Sequence, residues 1–346
     1  MGPAKAGAKP SDGARFAIVT LLAHGGNLAP SADGSRNGWE QGAMALGCSL
    51  QSVLRLVHAD LLAMCFGVSP EARTRVESMG WQCITPKHIP NPFSGSYWRW
   101  GYTQVLAPFS LIDYAKVLLL DDDIVVVEPE LVAGLLLESQ VPKDHILASR
   151  DCLAAFARCA PDSRRDHGCW TEADAANEIN SGVVVLRPNI TQYHEMVEAR
   201  HTTRSVARDG QGFLSTYFTG RVRWLPARYN YICNSLCIHQ FDPKAGNYKP
   251  VAPTTSTNQT SRAAQQGVHA DQSARNHLAR GAIGLLHFQY KPKPWLCKPS
   301  QMKTCGATLR LAVGVGTTRI DSLHEHWHRL ANRTPQECSK PLNSAG

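Results

Sequence analysis

Leu118-Leu119-Leu120-Asp121-Asp122-Asp123-Ile124-Val125-Val126-Val127 is the stretch on which the rest of the chain turns. Val117 to Leu120 is a continuous apolar run without alternation, which suits a parallel strand covered on both faces. Three consecutive carboxylates between two apolar runs are costly unless something cationic neutralises them. In extended chain, residues i and i+2 share a face, so Asp121 and Asp123 can converge on one ion. Oxygen ligands suit Mg²⁺ or Mn²⁺, and such an ion can bridge two phosphates. The plainer alternative is an acidic turn capping the next element, with Glu128 and Glu130 as solvated charges.

Outward from this stretch, short apolar runs alternate with helical patterns. Phe16 to Leu22 predicts a buried first strand, and Trp39 to about Val57 a helix. Asp60 to Phe66 predicts a second strand. Ser69-Pro70 supplies an N-cap and a first-turn proline for a helix running to Met79, and Trp81 to Thr85 a third strand. Thr103 to Tyr114 has a helical pattern. Later come a strand at Gly182 to Leu186, a helix near Gln211 to Phe218 and a strand at Gly284 to Phe288. Strands alternating with helices imply an α/β fold, a mostly parallel sheet flanked by helices, with ligands at the carboxyl ends of the strands. The aspartates lie at such an end. Residues 1–13 form a small, polar tail expected to be disordered, and about 253–280 a polar insertion.

The 346 residues carry a net charge of +8, but Lys and Arg are scattered rather than striped along one helix, so no nucleic-acid partner is expected. A diphosphate-bearing substrate gains from the same positive field. Of the 11 cysteines, Cys48, Cys65 and Cys83 fall in apolar periodic segments and are expected as small core residues. The other eight fall in loops, as disulfides of an oxidising compartment do. Sequons at Asn189, Asn258 and Asn332 point the same way, towards a Golgi or secretory lumen. Against this, the first 13 residues hold no hydrophobic signal core and no run of 18 apolar residues occurs, which leaves the cytosol open.

Several segments resemble glycosyltransferase family 8, the glycogenin-like enzymes of the GT-A nucleotide-diphospho-sugar transferase fold. Val19-Thr20-Leu21 resembles the family's opening strand, which lies against uracil and ribose. Trp39-Glu40-Gln41-Gly42-Ala43 with Leu46-Gly47-Cys48-Ser49-Leu50 resembles "YxxGAxxLGxSL", with Trp39 in place of an aromatic that stacks on the base. Asp113-Tyr114-Ala115-Lys116 and Leu120-Asp121-Asp122-Asp123 resemble "xYxKxxxLDAD", with Asp122 where alanine is usual. Asn180-Ser181-Gly182-Val183-Val184-Val185 is similar to "NSGVxV", whose Asn and Ser are donor contacts. Leu286-His287-Phe288 and Lys293-Pro294-Trp295 resemble "HFxGxxKPW". In that motif the histidine is the third metal ligand and the lysine reaches the diphosphate. The carboxyl-terminal tail, with Cys297, Cys305, Trp327 and Cys338, is similar to that of the plant glycogenin-like branch, which includes glucuronosyltransferases.

There are departures. The family's "GDQG" appears as Asp209-Gly210-Gln211-Gly212, so Gly210 holds the acidic position and Asp209 stands one residue early. The family lysine before "DY" falls on Gln104 or Val105, with Arg99 as a substitute. Tyr290 replaces a glycine.

The resemblance implies a GT-A domain over 14–296, followed by a Cys-containing extension over 297–346. It implies a metal-dependent retaining glycosyltransferase using a UDP-sugar, UDP-glucose or UDP-glucuronate. Asp121, Asp123 and His287 hold Mn²⁺ or Mg²⁺; Thr20, Leu21, Trp39, Asp122, Asn180, Ser181 and Lys293 bind the donor; Gln211 and Asp209 line the face where transfer occurs. The acceptor, whether glycan, lipid or protein, is not legible, and a homodimer is left open. Cys297 and Cys305 are expected to pair. Two rivals remain: a degenerate protein that binds UDP-sugar and metal without turnover, and a metal-dependent nucleotidyltransferase or phosphohydrolase on a similar sheet.

Overall fold

A computed structural model describes residues 14–23, 38–93, 99–152, 177–205, 208–232, 241–242, 244, 247–248, 283–289, 313–315, 318–320 and 323–340. Its centre is a seven-stranded sheet. In chain order the strands are β1 (Phe16–Ala23), β2 (Ala59–Phe66), β3 (Trp81–Ile84), β4 (Lys116–Leu120), β6 (Ile146–Arg150), β7 (Ile179–Leu186) and β8 (Val222–Trp224); β5 (Ile124–Val126) lies outside it. The spatial order is β3-β2-β1-β4-β7-β6-β8, and β7 alone runs antiparallel to its neighbours.

Along β4, Leu118 and Leu120 face one core while Val117 and Leu119 face the other. That is why the sequence shows no alternation: both faces of the strand are covered. The first face carries α1 (Gly38–Leu54) and α4 (Pro129–Leu137). The second carries α3 (Gly101–Leu106), α5 (Ile190–Ala199) and α6 (Gly210–Tyr217). From Gly38 to Leu50 every residue of α1 is buried, so this helix is enclosed on all sides. Ser69 caps α2 (Pro70–Ser78), accepting from the Ala72 backbone N–H. Thr103 to Tyr114 does not form one helix. After α3 the chain tightens into a 3-10 turn over Ala107–Ser110, because Pro108 lacks the N–H that an α-helix needs there.

Beyond the aspartates, β5 leaves the main sheet and pairs with β12 (Leu285–His287), which also pairs with β9 (Tyr231–Ile232). The phenylalanine after His287 donates its backbone N–H to the Asp123 carbonyl at 2.9 Å. This small sheet carries the His287 segment back to the end of β4. Further two-stranded pairs form from β10 (Phe241–Asp242) with β11 (Asn247–Tyr248) and from β13 (Val313–Val315) with β14 (Thr318–Ile320). The last of the described elements are α7 (Leu323–Ala331) and α8 (Pro335–Cys338). Among the described residues, no helix is long and apolar enough to cross a membrane.

The three core cysteines are not free thiols. Cys65 of β2 is bonded to Cys83 of the adjacent β3, and Cys48 of α1 to Cys338 of α8. Sequence periodicity places these residues in the interior but is blind to which interior neighbour each one meets. Cys152 is disulfide-bonded as well. The tail 1–13, the insertion 253–280, Lys293, Cys297 and Cys305 lie outside the described residues.

Candidate metal centre

Three side chains meet at the carboxyl end of β4. The His287 Nε2 stands 3.2 Å from Asp123 Oδ1 and 3.5 Å from Asp121 Oδ2. One ligand atom from each of Asp121, Asp123 and His287 falls within 4.8 Å of the others. Asp123 and His287 are buried and Asp121 is half-exposed, so the group has a solvent-facing side. One partly exposed and one buried carboxylate oxygen, with a buried imidazole nitrogen, form a donor set that fits Mn²⁺ or Mg²⁺. Gln104 of α3, one of the two residues on which the resemblance lets the family lysine fall, donates to Asp121 Oδ1 and orients that side chain.

Each member is held in place by backbone packing. Gly42 of α1 lies so close to the aspartates that a Cβ there would come within 2.7 Å of the Asp122 carbonyl oxygen. Ser49 of the same helix accepts from the Val126 N–H at 3.2 Å, fixing β5 just past the acidic turn. Gly182 of β7 lets the strand abut the imidazole; a Cβ there would stand 2.4 Å from His287 Cε1.

Next to this group is a polar cluster drawn from β6, β7 and α6. Gln211 Oε1 accepts from the Ser181 N–H at 3.0 Å, and its Nε2 donates to Asp151 Oδ2 at 3.1 Å. Asn180 also donates to Asp151 Oδ2, at 3.2 Å, and to Gln289 Oε1 at 3.0 Å. The Asn180 Oδ1 accepts from the Gly182 N–H at 3.1 Å and from Asn230 Nδ2 at 2.7 Å. Asn180 is thus fully buried, with both of its polar atoms engaged inside the protein. Ser181 and Gln211, expected beside it, do come together with it.

Asp209 caps α6, its side chain accepting from the Gly212 N–H at 2.8 Å. Burial pushes its carboxyl above the ordinary range, although the Gly212 bond acts in the opposite sense. The carboxylates joined to Gln211 are instead Asp151 and, at 3.4 Å, Glu178, neither of which sequence reasoning singled out. Gly210 has no room for the acid that the resemblance expects, because a Cβ would stand 2.2 Å from the Gly101 carbonyl oxygen of α3.

The remaining expected residues scatter over the same end of the sheet. Thr20 is fully buried on β1 and its Oγ1 has no hydrogen-bond partner among the described residues; the same holds for Gln41 Oε1 on α1. Orphaned buried acceptors of this kind fit a polar ligand edge. Trp39 lies at the start of α1, buried in the first core, whereas Leu21 packs into the opposite core. Asp122 is buried beside Gly42. Arg99 lies with its guanidinium over the Trp100 ring, 4.6 Å from the centroid.

Comparison with known proteins finds that residues 44–298 match the model of glycosyl transferase family 8. Two solved structures share the fold. The crystal structure of the galactosyltransferase LgtC in complex with donor and acceptor sugar analogues aligns with a TM-score of 0.51 at 14% identity, covering 91% of this chain and 95% of that one. The apo structure of the bifunctional glycosyltransferase WbbM aligns with a TM-score of 0.54 at 13% identity over 95% of this chain. The chain spans about half of WbbM, 51% of its length. No curated protein matches the sequence.

Proposed function

The chain belongs to glycosyl transferase family 8, and from that premise we propose that it moves a hexosyl or hexuronosyl group from a UDP-sugar to an acceptor, with retention at the anomeric carbon and with Mn²⁺ as cofactor. The observation that carries this reading is the Asp121–Asp123–His287 group at the carboxyl end of β4. Asp121, Asp123 and His287 would hold the cation on the donor diphosphate. When bound, such a cation offsets the charge that develops as the sugar–phosphate bond breaks.

The chain's own residues supply the rest. Gln211, Asp151 and Ser181 form the polar wall beside the metal ligands and would meet the transferred sugar. Thr20 and Gln41 offer acceptor atoms, and Trp39 an aromatic ring, at the end of the sheet suited to a nucleobase. Lys293 would reach the diphosphate, as the family resemblance implies. UDP-glucose and UDP-glucuronate are the donors that the resemblance favours. Cysteines paired in the core support a secretory-lumen enzyme, since disulfides persist in oxidising compartments.

The test is to incubate the protein with each donor and Mn²⁺ and to measure the UDP released. Release that requires Mn²⁺ and stops on chelation is the expected result. Binding of UDP-sugar without release, with or without candidate acceptors, would reduce the protein to a donor-binding relic of the same fold. The absence of both binding and release would overturn the proposal.

A further inference from the structure

We infer that Asn230 is a positioning residue that fixes which nitrogen of His287 faces the metal ligands. The case rests on a chain of hydrogen bonds whose polarity can be read from one end. A backbone N–H can only donate, so the atom of Asn180 that meets the Gly182 N–H at 3.1 Å is its carbonyl oxygen. The other end of that amide must then be the NH₂, which agrees with its bonds to the Asp151 carboxylate and Gln289 Oε1. Asn180 Oδ1 also meets the Asn230 side chain at 2.7 Å, and an acceptor oxygen can be met there only by the Asn230 NH₂. The Asn230 carbonyl oxygen is thereby turned to His287 Nδ1, 2.9 Å away. Nδ1 must carry its proton to make that bond. Nε2 is then the ring nitrogen that points at Asp121 and Asp123, the one that would meet a cation.

Asn230 and His287 are both buried, at 0% and 1% exposure, so bulk water does not compete for Nδ1. The arrangement also gives Gly182 two roles. Gly182 provides the N–H that polarises the whole chain and the space in which the imidazole sits. Asn230 follows the 3-10 turn Ala227–Tyr229 and leads into β9, the strand paired with β12. The element that carries the orienting amide is thus hydrogen-bonded to the element that carries the histidine. Groups that hold the far nitrogen of a metal-bound imidazole fix its tautomer and typically change metal affinity about 10–100-fold when removed.

This inference rests on the metal reading of the site, and its test separates the two. Nitrogen-15 NMR of the metal-free protein at pH 8 reads the protonation of each His287 ring nitrogen, with the signal assigned from its absence in His287→Asn. The expected result is a protonated, hydrogen-bonded Nδ1, both without metal and after addition of Mg²⁺. An unprotonated Nδ1 in the wild-type protein would overturn the inference, whatever the fate of the metal reading. Mn²⁺ titration of Asn230→Leu, with thermal unfolding as the folding control, is the second measurement. A folded variant is expected to bind Mn²⁺ about 10–100-fold more weakly than wild type. A folded variant with unchanged affinity would also overturn it. If the wild-type protein binds no Mn²⁺ at all, the metal reading fails while the NMR result still decides the role of Asn230.

Discussion

Asp151 and Asp209 both lie near Gln211, and their surroundings assign them different work. Asp151 accepts from Gln211 Nε2 and from Asn180 Nδ2, so it fixes the two amides that shape the polar wall. Asp151→Asn keeps the volume but replaces an acceptor by a group that can also donate. Transfer is expected to fall by at least about tenfold, roughly 1.4 kcal/mol, while the protein still unfolds cooperatively; turnover within twofold of wild type would remove Asp151 from the site. Asp209 caps α6, and Asn caps as well as Asp, so Asp209→Asn is expected to leave turnover within about twofold. A loss as large as that of Asp151→Asn would return Asp209 to the catalytic face. The same variant makes a pH prediction. Burial raises the Asp209 carboxyl above its ordinary value of 3.8, so the folded state binds its proton more tightly than the unfolded state does. The resulting cost to stability is absent below 3.8 and complete above the raised folded value. Asp209→Asn should therefore melt higher than wild type at pH 8, with the difference closing as the pH falls towards 4. Melting differences that widen on acidification would contradict this sign.

At the scale of elements, the contact between α3 and α6 is set by two glycines meeting face to face. A Cβ at Gly210 would press on the Gly101 carbonyl oxygen at 2.2 Å and on Val105 Cγ2 at 2.8 Å, and the first is backbone that cannot rotate away. Gly210→Ala should destabilise the protein by about 1–3 kcal/mol, read from denaturant unfolding. Gly210→Asp should be worse, rather than restoring the family's acid. A neutral or stabilising Gly210→Ala would mean that α6 can move away from α3 freely. This contact shows what a sequence conveys and what it withholds. The Asp121–Asp123 pair is legible because period-two geometry and a strand end are local facts, and His287 because its neighbours spell a motif. Asn230 and Asp151 are not legible, since each is a lone polar residue brought to the site by strand pairing across the sheets. β5 is hidden for a related reason: Ile124–Val126 continues the apolar run of β4, and only the acidic turn between them redirects it to β12. The helix pattern over Thr103 to Tyr114 is overruled at Pro108, a local signal that apolar periodicity alone does not weigh.

Across the whole molecule, the bond between Cys48 and Cys338 links residues 290 apart in sequence and fastens α8 to α1. Arg55 of the same region donates to the Ser339 carbonyl, and Trp327 of α7 is buried in the first core beside α1. Helix α1 in turn supports the acidic turn through Gly42 and Ser49, so α7 and α8 brace the site from behind. Replacing both cysteines by serine should cost about 2–5 kcal/mol in unfolding free energy, because so long a closed loop restricts the unfolded chain strongly. Unchanged stability of the double variant under non-reducing conditions would show that α7 and α8 hold α1 without the bond. All of these supports converge on one group of three side chains. Its most direct test is Mn²⁺ binding in the presence of UDP, followed by electron paramagnetic resonance in wild type, Asp121→Asn, Asp123→Asn and His287→Ala. One tightly bound Mn²⁺ per wild-type chain is expected, with affinity at least about tenfold weaker in each folded variant. Mn²⁺ bound equally well by wild type and all three variants would contradict the assignment of Asp121, Asp123 and His287 as the metal centre.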